Sequence, residues 1–133
     1  MAPTTIASAR LLAVTPAVRQ SLLAAGAALH HLPVKDYVGL AAGTTYFAFD
    51  PSTATYYAAA GLVASQSSLS AQVGTQDDGA YNLFVKRSGA AAWTVYNDGL
   101  GGVQGARCAI ALPAAVLAVW HWPAHSCYPP TPG

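Results

Sequence analysis

His121 and His125 stand four residues apart, with Cys127 two positions further on. On one helix face that spacing would set two imidazoles around a zinc ion. Pro123 lies between them, so no regular helix face can carry both. They are read as a helix-end pair or as solvent-facing imidazoles, and no metal is assigned to the chain. His30 and His31 form a second pair at the close of a predicted helix, where a cation complements the negative end of the dipole. Five aspartates are the only acids; there is no glutamate. Asp50 precedes Pro51, Asp78 precedes Gly79 and Asp98 precedes Gly99, contexts in which the carboxylate folds a turn. Asp77 adjoins the second of these turns, which leaves only Asp36, in Lys35-Asp36-Tyr37, without a structural task.

Covalent chemistry is no better served. No serine sits in a Gly-x-Ser-x-Gly elbow. The run Gly99-Leu100-Gly101-Gly102-Val103-Gln104-Gly105 follows a predicted strand as a phosphate loop would. It lacks the third glycine of the dinucleotide spacing, and no Lys-Ser or Lys-Thr follows, so it is read as a connection. No catalytic residue and no cofactor is assigned. Cys108 and Cys127 bracket a predicted helix, and an even pair in an oxidising compartment would close one disulfide worth roughly 3 kcal/mol. Met1, the sole methionine, directly precedes Ala2-Pro3-Thr4-Thr5. It is expected to be a start residue ahead of a mature N-terminus whose signal peptide is gone. A secreted protein follows from both expectations.

Charge narrows the partners. Only 11 of 133 residues are charged, against about a quarter in most soluble domains. A net charge of +1 supplies no field for phosphate backbones, so nucleic acid is excluded as a partner. The longest apolar run, Ala109 to Trp120, falls short of the ~18–20 residues of a membrane helix and is broken by Pro113, so no membrane span is expected. So weak a charge also removes most repulsion towards other proteins. What remains is recognition or assembly, with thirteen aromatic residues (seven of them tyrosine) to serve it.

The elements that would position these residues form one domain over 1–133, with 1–14 as an N-terminal arm or edge strand and 128–133 as a Pro-rich tail. Thr15-Pro16 opens a helix expected over 15–32, with Val18, Leu22, Ala25, Leu29 and Leu32 as its apolar stripe and Pro33 as its stop. Strands are expected at 44–49, 54–64, 71–76, 80–86 and 92–96, the 71–76 and 80–86 pair joined at Asp78-Gly79 with Val73 opposite Phe84. Pro113 begins a short helix to about Trp120. The fold class is α+β: an antiparallel β-meander of four to five strands packed by one long N-terminal helix, with a short disulfide-tied C-terminal helix. Period two puts Phe47, Phe49, Tyr56 and Leu62 on one face, and Tyr46 with Tyr57 on the other. Phe84, Trp93 and Val95 share a face, and Tyr81, Leu83, Val85 and Tyr96 share its opposite.

Several stretches carry a resemblance. Gly43-Thr-Thr-Tyr-Phe-Ala-Phe-Asp-Pro, Thr55-Tyr-Tyr-Ala-Ala-Ala-Gly-Leu, Ala92-Trp-Thr-Val-Tyr, and Cys108 followed by Leu112-Pro-Ala-Ala-Val-Leu-Ala-Val-Trp are the residues concerned. Over about 15–127 the chain resembles small secreted actinobacterial domains of unknown function. The resemblance implies export, a Trp-bearing hairpin and a C-terminal disulfide, and it carries over no catalytic residue.

The expected function is a secreted, non-catalytic protein-recognition module, an adaptor or inhibitor within an extracellular complex. Its partner is another protein or a second copy of the chain. An aromatic sheet face formed by Tyr46, Tyr57, Tyr81, Leu83 and Tyr96 is the expected contact surface, because two apolar faces exceed what one helix covers. The alternatives are a small extracellular hydrolase using His121, His125 or Asp36, and a self-assembling structural subunit.

Overall fold

A ten-residue strand with almost nothing exposed organises the molecule. In the computed structural model, which describes residues 8–41, 43–77, 81–96 and 110–126 (without the side chains of 74–77), this strand is Thr55–Ala64. Its run Ala58-Ala59-Ala60 is fully buried, the small side chains lying alternately on both faces. The chain runs β1 (Arg10–Leu11), α1 (Pro16–Leu29), a 3-10 turn (Val34–Asp36), β2 (Tyr37–Leu40), β3 (Tyr46–Asp50), β4 (Thr55–Ala64), α2 (Leu69–Asp77), β5 (Tyr81–Arg87), β6 (Thr94–Tyr96) and α3 (Ala114–Trp120). One six-stranded antiparallel sheet results, in the order β1-β3-β4-β5-β6. β2 pairs with the far end of β4, so β3 and β2 flank β4 in tandem along one edge.

The two sheet faces have separate covers. Leu22, Leu23 and Ala27 of α1 bury Phe47, Ala58, Ala60, Leu62 and Phe84. Val116, Leu117 and Trp120 of α3, with Trp122 behind them, bury Ala48, Ala59 and Leu83 on the opposite side. The fold is α+β, as the pattern predicts, and the C-terminal helix α3 takes the second face. Gly26 lets α1 settle closely: a Cβ there would stand 2.8 Å from Leu62 Cδ2.

Several expectations need correction. The segment 71–76 is not a strand but belongs to helix α2. Ser68 starts that helix: its Oγ accepts the Ala71 N–H at 3.2 Å and its carbonyl accepts the Gln72 N–H at 3.1 Å. Such a serine cap outweighs the short Ala/Val alternation that suggested a strand. Val73 is therefore 45% exposed, and Phe84 pairs across to Ala58 and Val95. α1 ends at Leu29, three residues before the expected end at Leu32. His31 takes a left-handed conformation (φ 58°), its N–H donates to the Ala28 carbonyl, and the Leu32 N–H donates to the Ala27 carbonyl. Those two bonds close the helix in a Schellman motif. Its buried face is Leu22, Leu23, Gly26 and Ala27, which leaves Leu29 39% exposed. β2 is an additional strand, and the N-terminal edge strand is only two residues long.

Among the described residues no helix is long and apolar enough to cross a membrane. Cys108 and Cys127, expected to be bonded, lie outside the described residues. So do Asp78, Gly79, Asp98, the glycine run 99–105 and the tail 128–133.

Candidate functional site

Lys86 is a charged side chain that alternation places on the α1 face of the sheet, beside two aromatic rings. Along β5, Leu83 belongs to the α3 face and Phe84 to the α1 face, so Lys86, two residues after Phe84, points to the α1 side. It pairs across the ladder with Tyr56. Its Nζ lies 5.9 Å from the Tyr56 ring centroid and 5.6 Å from that of Trp93, within cation–π range of both. Trp93 is held edge-on against Phe47 (6.1 Å) and Phe84 (6.3 Å), while Tyr56 stacks on Phe47 at 5.9 Å. The buried phenylalanines thus fix two half-buried rings whose outer faces remain at the surface.

These rings floor a hollow of about 640 Å³. One wall is the first turn of α1, where Thr15 Oγ1 accepts the Val18 N–H at 3.2 Å and Pro16 sets the entry angle. The Leu12 N–H donates to the Phe47 carbonyl at 3.0 Å and ties the approach to the sheet. The other wall is the turn after β5, in which the Ala90 N–H donates to the Arg87 carbonyl and Gly89 adopts φ 86°. Hydroxyls of Thr15, Ser21 and Ser88 join the lining, and among the described residues no carboxylate does. Such a site can stack a flat or ring-bearing group and neutralise one negative charge.

The five expected contact residues do come together, but not on an open face. Tyr46, Tyr57, Tyr81, Leu83 and Tyr96 all lie on the α3 side of the sheet. Leu83 is only 5% exposed. Tyr46 packs against Trp120 (5.7 Å) and, edge-on, Trp122 (5.1 Å). The Tyr81 hydroxyl donates to the Thr44 carbonyl at 2.8 Å; burial, then the neighbouring Tyr46, pushes its phenol far up from the ordinary value. Burial and the Asp50 carboxylate raise the Tyr57 phenol, against a lowering hydrogen bond from Thr53.

The residues of the hydrolase alternative are scattered. Asp36 sits in the 3-10 turn beside Val34 and Tyr37 of the α1 cluster, whereas His121 and His125 follow α3. His31, His121 and His125 all have positive φ and serve as turn residues. Asp50 is buried, accepting from Ser52 N–H and Oγ and from Thr53 Oγ1, as its place before Pro51 predicts. Among the described residues no group of three histidine, cysteine or acidic side chains could hold a metal. Sequence reasoning missed Lys86 as a site residue. Alternation alone does not single it out, because Arg87 occupies the opposite, equally apolar parity of the same strand.

Comparison of the chain with family models, with curated proteins and with solved structures finds no match.

Proposed function

We propose that this chain is a non-catalytic recognition module that grips a segment of a partner protein in the groove along α1. It works outside the cell, with Cys108 bonded to Cys127. The observation that carries the reading is the Lys86 ammonium set between the surface rings of Tyr56 and Trp93. Tyrosine and tryptophan dominate binding hot spots, since each offers a large rigid ring at little entropic cost. A hollow of about 640 Å³ suits a few side chains of a partner. The tyrosines under α3 serve packing, so the contact surface moves from that face to this groove.

Position-specific photo-cross-linking tests the reading. A benzophenone side chain replaces exposed Ser88 at the groove rim or, as control, exposed Leu69 on α2. In the native extracellular fluid the Ser88 probe should form a discrete protein adduct that Ser21→Trp, which plugs the groove from the exposed side of α1, abolishes. Equal adducts from both positions, or none from either, would refute the groove.

A further inference from the structure

The groove continues past Lys86. A second hollow of about 420 Å³ shares Ser21, Lys86 and Trp93 with the first and runs on past Ala24 to Ala28. Together they follow α1 over residues 17–28, about 16 Å at 1.5 Å per residue. An extended chain covers that length in about five residues. Ala24 and Ala28 on one side and Ala91 and Ala92 on the other are small enough to admit a backbone at close range.

The charge stands near the middle of this track. Lys86 belongs to both hollows, and among the described residues no carboxylate lines either. An ammonium resting over two rings has lost part of its water and keeps N–H donors for an incoming acceptor. We infer that the bound segment is an extended peptide of about five residues whose central residue is Asp or Glu, with an aromatic or proline ring beside it to stack on Trp93. This rests on the groove reading above and adds its specificity: length, conformation and one negative charge.

A displayed library of random heptapeptides, panned on wild type, Lys86→Met and Ser21→Trp, decides it. Lys86→Met keeps the apolar stem over the rings and removes only the charge. Ser21→Trp changes an exposed helix residue and fills the junction of the hollows. Wild type should enrich peptides with one acid beside a ring residue, and Lys86→Met should lose the acid preference. For a selected peptide, Asp→Asn should weaken binding about threefold to tenfold to wild type and leave binding to Lys86→Met unchanged, as an interacting pair requires. Peptides blocked by Ser21→Trp but showing no acid preference would overturn the charge pairing and leave the groove standing. A wild-type pool that Ser21→Trp does not disturb, or no enrichment at all, would overturn both.

Discussion

The Tyr81 hydroxyl clamps the place where β4 changes partners. It holds the Thr44 carbonyl, while Thr44 Oγ1 donates to the Ala41 carbonyl at 2.7 Å and accepts the Gly61 N–H at 3.1 Å. Those three bonds knit the crossing from β2 to β3 against one edge of β4. Burial keeps this phenol protonated in the folded chain at pH values where the unfolded chain ionises. The folded state therefore binds more protons above about pH 10, and stability must fall as pH rises beyond it. Each retained proton contributes a slope of about 1.4 kcal/mol per pH unit. Tyr81→Phe should cost about 1 kcal/mol at pH 8 through the lost hydrogen bond, and then decline less steeply than wild type. Urea midpoints from pH 8 to 11 read both effects; parallel curves would mean that Tyr81 ionises freely in the fold. Alternation in the sequence was enough to put Tyr81 beside Leu83 and Tyr96. It could not say that a helix some thirty residues later closes that face.

Helix ends explain most of what was and was not legible in the elements. The proline openings at Pro16 and Pro113 are local chemistry, and both helices start where that chemistry puts them. Their closures rest on left-handed histidines, for which no residue-type rule is strong. In α3, His121 (φ 61°) donates to the Ala118 carbonyl and the Trp122 N–H to the Leu117 carbonyl, the same pair of bonds as at His31. Glycine holds this conformation without the strain of a Cβ. His31→Gly and His121→Gly should each raise stability by up to about 1 kcal/mol, read as a higher thermal midpoint. A loss of more than about 1 kcal/mol at either would show that the imidazole does more than end a helix. The helix at 69–77 was hidden because its cap is a buried serine within a polar stretch. Ser65 to Ser70 reads as loop from composition alone. β2 was hidden because it is four residues long with a register shift between Tyr37 and Gly39. Period two cannot survive such a shift.

At the scale of the molecule, the pairing of 46–50 with 55–64 and the face of nearly every aromatic follow from pattern, whereas the pairing of 55–64 with 81–87 does not, because a helix stands where the partner strand of 81–87 was expected. The groove does not follow either, because it needs α1, β4, β5 and the turn after β5 at once. The exported reading makes a prediction at this same scale. Intact mass of unreduced protein treated with an alkylating reagent should show no adduct, and two adducts after reduction, for a Cys108–Cys127 bond. Two thiols that alkylate without reduction would remove the extracellular setting and leave the groove untouched. The sheet's margins carry a last consequence. Its outer strands β1, β2 and β6 span two, four and three residues, and the ten-residue β4 is enclosed. Among the described residues, a neighbouring chain that tried to extend these outer strands would find only a few free amides to grasp. With just 11 charges, this chain has little electrostatic defence against clumping. Its colloidal restraint is built from geometry, and brine or acid has little there to switch off.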